Sequence, residues 1–236
     1  MAVDLVEIPL FPLGLVLFPG MVQPLHIFEP RYREMTKRSL DTSGTFGIAL
    51  ALPEGSFHHE APARIGCIAR ILDYHRLPDG RYNLLAVGAR RFEIIELMRD
   101  QPYLRALARI LPEVVGDGPV QALSEEARRL LDDYLAIVLA DSEEGTSGIT
   151  IPTDPIELSY FIAVLVPCDD SDKQELLEAT TAVERLRRGL ACMRSEIASA
   201  REAQTSETPR ENGEERPTSG SSSDDERRPS SYLHRA

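Results

Sequence analysis

Ile8-Pro9-Leu10-Phe11-Pro12-Leu13-Gly14-Leu15-Val16-Leu17-Phe18-Pro19-Gly20, continued by Pro24-Leu25-His26-Ile27-Phe28-Glu29-Pro30-Arg31-Tyr32, mixes prolines and large apolar residues in an order that fits no simple period. Each proline fixes φ, removes an N–H and drives its predecessor toward extended geometry, so the stretch reads as short extended pieces joined by turns. Phe11, Leu13, Leu15, Leu17, Phe18, Ile27 and Phe28 then require a core, or a partner, to cover them.

Working outward, residues 45 to 111 read as strands. Ile65, Cys67, Ala69 and Ile71 alternate with Gly66, Ile68 and Arg70, and Leu104, Ala106, Ala108 and Ile110 alternate with Arg105, Leu107 and Arg109. That period of two is the pattern of half-buried strands. Leu77-Pro78-Asp79-Gly80 has the residue order of a turn and joins a strand ending near Arg76 to one beginning at Arg81, so an antiparallel meander is expected. Pro30 to Leu40 has no internal proline or glycine and reads as one short helix within this half.

From Val120 the period becomes helical. Leu123, Ala127, Leu130 or Leu131, Tyr134 and Val138 share a face, with Ser124 as cap and Glu125 and Glu126 in the first turn. Asp154-Pro155-Ile156-Glu157 places a cap, an N1 proline and an N3 carboxylate in sequence; Ser171 with Gln174, and Thr181 with Glu184, repeat the capping-box spacing. In the last helix Val183, Leu186, Leu190, Met193 and Ile197 form one stripe, and Gly189 within it costs about 1 kcal/mol unless another element packs closely there. Asp141 to Gly148 reads as a loop, and from about Ala203 the chain is too poor in large apolar residues to order itself.

The chain has 236 residues, 42% of them hydrophobic, enough for a substantial core. Its formal charge of −12 is uneven: residues 113 to 200 hold 7 Lys/Arg against 18 Asp/Glu. Such a surface repels phosphate backbones, which argues against general nucleic-acid binding. No run approaches the ~20 apolar residues of a membrane span, and Met1-Ala2-Val3-Asp4 opens no secretion signal, so the expected location is cytoplasmic. Cys67, Cys168 and Cys192 are widely spaced and without a C-x-x-C pair, as suits reduced thiols.

Catalytic signatures are missing. A phosphate-cradling loop needs a lysine after a glycine, and the two lysines, Lys37 and Lys173, follow none. Each has a serine two residues away, Ser39 and Ser171, but both read as solvated helix-surface lysines rather than desolvated bases. His58-His59-Glu60 offers adjacent imidazoles that diverge, with no second cluster to complete a metal site. Asp132-Asp133 and Asp169-Asp170 read as dipole or cap partners, and His26 has no visible acid or nucleophile partner. Arg90 and Arg91, beside Phe92, could stack on RNA but more simply pair with Glu93 or with the acidic helices. Glu29 and Arg31 flank Pro30 as a structural pair at the entry to the short helix.

The "PLFPL" and "VLFPG" pieces, "PLHIFEPRY", "IGCIARI" and "GRYNLLAVGARRFEI", with a weaker match around Asp172 to Glu178, together resemble the N-terminal substrate-binding domain of Lon proteases over roughly residues 5 to 200. The resemblance implies an α+β fold: a twisted antiparallel PUA-like pseudo-β-barrel over 5–112, a helical bundle packed on it over 120–202, and a disordered tail over 203–236. It also implies a stand-alone, non-catalytic module that binds polypeptide or a partner protein and needs no cofactor. The exposed members of Leu17, Phe18, Pro19 and Met21 are the candidate peptide contacts, because apolar loop residues suit adaptable binding. Two other readings stay open: a hydrolase or small-molecule site between barrel and helices, which requires a cleft with convergent polar groups, and an RNA-binding PUA-like module.

Overall fold

A computed structural model describes residues 5–52, 61–138 and 149–206. Seven strands come first: β1 Leu5–Leu13, β2 Val22–Ile27, β3 Thr45–Leu52, β4 Ala61–Pro62, β5 Ile65–Arg76, β6 Tyr82–Met98 and β7 Leu104–Ile110, with α1 Pro30–Leu40 between β2 and β3. Four helices follow: α2 Val120–Val138, α3 Pro155–Leu165, α4 Asp170–Glu178 and α5 Ala182–Ser206. The Asp141 to Gly148 loop, His58-His59-Glu60 and the tail beyond Ser206 lie outside the described residues.

The strands close on themselves. β1, β7, β6, β5 and β3 pair antiparallel in that order, and β1 returns to β3 through a parallel register running from Leu10 opposite Gly47 to Leu13 opposite Leu50. The parallel seam departs from an all-antiparallel meander. It brings the proline-broken opening stretch into the barrel wall. Ile8, Leu10, Ile68, Phe92, Leu104 and their neighbours fill the interior, where Gly47 and Gly66 leave room for the Phe92 ring: a Cβ on either would stand 2.8 or 2.7 Å from its Cζ.

β2 lies along the first half of β6, from Val22 opposite Val87 to Ile27 opposite Tyr82, and with α1 it covers the outer face of the barrel. A second core forms there around Phe11, Tyr32, Met35, Phe46, Cys67 and Tyr82. β5 is therefore buried on both faces from Gly66 to Ala69, and its alternation is less clean than the half-buried pattern expected. β7 keeps that alternation, with Leu104, Ala106 and Ala108 inside. At the Leu77–Gly80 turn the Gly80 N–H donates to the Leu77 carbonyl and the Leu77 N–H to that of Arg81.

The helix starts follow local chemistry, with two shifts. Asp154 caps α3, accepting from the N–H groups of Ile156 and Glu157 at 2.9 and 3.0 Å. Thr181 caps α5 by accepting from Glu184 N–H, and Glu184 reaches back to Thr180 N–H, both at 3.1 Å. α4 is capped by Asp169, not Ser171: the earlier carboxylate accepts from Asp172 N–H at 2.9 Å, and Ser171 falls inside the first turn. α2 begins at Val120, so Ser124 is no cap either, and its buried hydroxyl has no hydrogen-bond partner among the described residues. The buried stripe of α2 is Ala127, Leu131 and Leu135, while Val138 at its end is exposed.

All five stripe residues of α5 are buried. Gly189 has the packing reason its cost requires: a Cβ there would stand 2.9 Å from Ile162 Cγ2, so α3 crosses α5 where the side chain is missing. A fourth cluster, holding Val16, Phe18, Leu50, Tyr160, Ala163 and Leu176, joins barrel to helices.

Candidate functional site

The loop between β1 and β2 is fastened to β6 by its backbone. Gly20 N–H donates to the Gly88 carbonyl and Gly88 N–H to that of Met21, both at 2.9 Å, while Met21 N–H closes a turn on the Phe18 carbonyl. The approach is so close that a Cβ on Gly88 would sit 2.0 Å from the Phe18 oxygen. This clamp decides where the candidate loop residues point. Leu17 and Phe18, each 1% exposed, turn into two different cores, which corrects their place among the possible contacts: they are core residues. Pro19 and Met21, half-buried, stay at the surface.

Facing that loop is α3. Its sequence, Pro155-Ile156-Glu157-Leu158-Ser159-Tyr160-Phe161-Ile162-Ala163-Val164-Leu165, is apolar nearly all round, and its faces are divided among neighbours. Leu158 and Ile162 enter the helical core, and Tyr160 and Ala163 the joint with the barrel. Ile156, Phe161 and Val164 are left half-buried, and with Pro19, Met21 and Val22 they wall a groove of about 630 Å3. Two carboxylates, Glu113 and Glu157, also line it. The groove can therefore accept apolar side chains between walls that carry negative charge.

The back of the groove is a buried ionic lock. Arg91, 2% exposed, donates to Glu113 at 3.0 Å and to the carbonyls of Leu177 and Ala179 at 2.8 and 2.6 Å. Arg185 from α5, also buried, donates to the carbonyls of Leu176 and Ala179 and to Ser159 Oγ, and its guanidinium lies 3.9 Å from the centre of the Tyr160 ring. Tyr160 in turn donates its hydroxyl to Glu113 at 2.7 Å. Two cations thus share one carboxylate and the carbonyl end of α4, where the helix dipole favours positive charge. Burial pulls the Arg185 guanidinium down to about 10, still protonated at neutral pH, and burial drives the Tyr160 phenol upward, so it remains a donor.

The remaining sequence candidates fall elsewhere. Arg90 is exposed, whereas Arg91 is committed inside, and Glu93 pairs with Arg64 and Arg109 instead of either. Glu29 and Arg31 form an ion pair at 2.9 Å at the entry of α1, with the Arg31 guanidinium 4.5 Å from the Tyr32 ring centre. His26 lies on exposed β2, where its Nδ1 meets Asn83 Oδ1 at 2.6 Å. The hollow beside His26 and Glu29 measures about 20 Å3, room for about one water molecule, so a cleft at these residues is too small for a substrate. Lys37 pairs with Asp41 on the surface.

Sequence reasoning missed the α3 wall, Glu113 and Arg185. One signal was available: an apolar helix that begins with a strong cap must be covered from more than one side. No local pattern points to Glu113 or Arg185, whose roles arise from elements distant in the chain.

Comparison with known proteins gives a consistent answer. A family model described as the ATP-dependent protease La (LON) substrate-binding domain matches residues 7–195. The chain is 27% identical over 187 residues to a Lon protease of Cytophaga hutchinsonii, covering 75% of this chain and 23% of that protein. It is 29% identical over 198 residues to a Lon protease of Azorhizobium caulinodans, covering 80% and 23%. It therefore spans about a quarter of the length of these curated relatives. Among solved structures, a Lon N-terminal domain protein from Xanthomonas campestris superposes with a TM-score of 0.60 at 25% identity, covering 79% of this chain and 98% of the other. The N-terminal domain of a Mycobacterium avium complex Lon protease gives 0.64 at 23% identity, covering 80% and 98%, a likeness of fold.

Proposed function

Because this chain belongs to the Lon substrate-binding domain family, we propose that it is a polypeptide-recognition module without catalytic chemistry of its own, and that polypeptide lies in the groove between Pro19–Val22 and α3. The observation that carries the reading is the groove itself: apolar residues from a clamped loop and from a helix, left uncovered where both elements are otherwise packed. Its volume falls in the range of ligand pockets, about 300–1,000 Å3, and suits two or three side chains of an extended segment. Glu113 and Glu157, in the stretch from 113 to 200 that holds 18 acids against 7 bases, favour segments that interleave large apolar residues with Lys or Arg. Nucleic acid is disfavoured by the same charge, and Arg91, the base best placed by sequence to stack, is consumed in the lock.

A cytoplasmic site of action accords with the free thiols Cys67, Cys168 and Cys192, and among the described residues no helix is long and apolar enough to cross a membrane. The reading of a hydrolase between barrel and helices is weaker. Of the polar groups at the groove, Glu113 accepts from both the Tyr160 hydroxyl and Arg91, which leaves neither Glu113 nor Tyr160 as a free base.

The test uses a fluorescein-labelled 15-residue peptide that alternates Leu or Phe with Lys and Gly. Val22, 52% exposed, can be changed with little effect on folding, so Val22→Asp should weaken the peptide at least about tenfold by fluorescence anisotropy while the unfolding midpoint holds. Equal affinity of wild type and Val22→Asp would remove the groove from the reading.

A further inference from the structure

The ring of five strands is open at one end. Ile8, Thr45, Ile68, Arg70, Arg90 and Ile110, contributed by all five strands, surround a cavity of about 330 Å3 at that mouth. The pairing explains why these side chains meet. Thr45 lies opposite Arg70 and Ile68 opposite Arg90, so each pair shares a face, and Ile68 and Arg70, two residues apart, share the interior-facing side of β5. Ile68 is part of the barrel's inner core. The two arginines therefore stand on the inner register at the rim, above an apolar floor.

Their charge state in the fold sets them apart. In a chain of 38 acids and 26 bases, neither Arg70 nor Arg90 makes an ion pair or a side-chain hydrogen bond among the described residues. Glu7, the acid on the same wall, is held by Arg105. At the rim the Ser43 and Thr45 hydroxyls lie 2.8 Å apart and can turn to donate toward the cavity. Two like charges converging on one cavity without a counter-ion repel each other, and an anion between them would relieve that repulsion.

We propose that the barrel mouth binds a single carboxylate carried on a compact apolar stem. Each guanidinium presents a fork matched to a carboxylate, and the Ile8, Ile68 and Ile110 walls accept an aliphatic group. The cavity is near the lower end of the ligand-pocket range, so one carboxylate and a short aliphatic chain fill it. The C-terminal residue of a polypeptide ending in Leu, Ile or Val presents this chemistry, and so does a free medium-chain acid. The site has its own floor and its own arginines, and touches the α3 groove at one residue, Ala89 of β6, which lines both.

Two probes on the full chain distinguish the sources. One is a labelled octapeptide ending in Leu with a free carboxylate, measured beside its C-terminal amide; the other is octanoate, measured by calorimetry. Binding of the acid peptide at least tenfold tighter than its amide identifies a polypeptide terminus, and binding of octanoate alone identifies a small acid. In either case Arg70→Gln and Arg90→Gln should each weaken the bound ligand about tenfold, and the Lys pair, which keeps charge but loses the fork, should fall between. Both positions are exposed, so an unchanged unfolding midpoint separates lost binding from lost fold. The proposal fails if neither probe binds, if the amide matches the acid with octanoate inert, or if the double Gln variant binds as wild type does.

Discussion

Arg90 and Arg91 are adjacent on β6 and meet opposite fates. Arg91 passes outward into the joint with the helices, where Glu113 and the carbonyls at the end of α4 take up its donors. Arg90 stays at the barrel mouth, where Glu7, the one acid on the wall among the described residues, is already engaged by Arg105. One pleated strand sends successive side chains to opposite faces, so a single dipeptide serves both a sealed interface and an open rim. The difference separates charge that holds the molecule together from charge left for something else. A buried guanidinium without partners would be intolerable, whereas an exposed one without partners costs little and remains available.

Removing Arg91 should have the largest effect. Arg91→Leu leaves Glu113 and two α4 carbonyls without their main donor, and urea unfolding should register a loss of about 3–5 kcal/mol. Arg90→Leu, one residue away, should stay within about 0.5 kcal/mol of wild type. Equal losses for the two would erase the contrast between joint and rim.

A smaller effect sharpens the comparison at the loop. Gly88→Ala places a methyl group against the Phe18 carbonyl, a backbone atom that cannot rotate away, and should cost about 1–3 kcal/mol in the same assay. Gly14→Ala in the same stretch meets no atom within 4 Å and serves as its control. A neutral Gly88→Ala would mean that the loop is free to move and that the groove wall is not clamped.

The smallest effect concerns exposed charge at a helix start. The Asp172 N–H, with help from Ser171, holds the Asp169 carboxyl below its ordinary value. A carboxyl depressed by folding stabilises the protein above its ordinary pKa and loses that contribution as pH falls through the folded value. The thermal midpoint of Asp169→Asn should therefore lie below wild type at pH 7 and approach it near pH 3. An unchanged gap at both pH values would assign no role to the charge.

Features set by neighbouring residues were legible in the sequence. The bounds of α1, the Leu77–Gly80 turn and the Asp154 cap each depend on fewer than a dozen consecutive residues, and the structure has them where the sequence put them. The Lon-type motifs carried the fold class, which no periodicity contained. What escaped depends on partners far along the chain. The β1–β3 seam joins residues 10–13 to 47–50, and Leu17 and Phe18 are buried because Gly88 draws their loop onto β6. Ser124 had the spacing of a cap, but helix packing extended α2 back to Val120. The groove combines a loop near residue 20 with a helix near residue 160, a meeting that no local pattern can announce.

Hydrogen–deuterium exchange of the full chain, with and without the Leu/Phe/Lys peptide, tests recognition in the groove most directly. Exchange should slow in Gly20–Val22 and along Ile156–Val164, with the barrel interior unchanged. Protection confined to other surfaces, or none at saturating peptide, would contradict it.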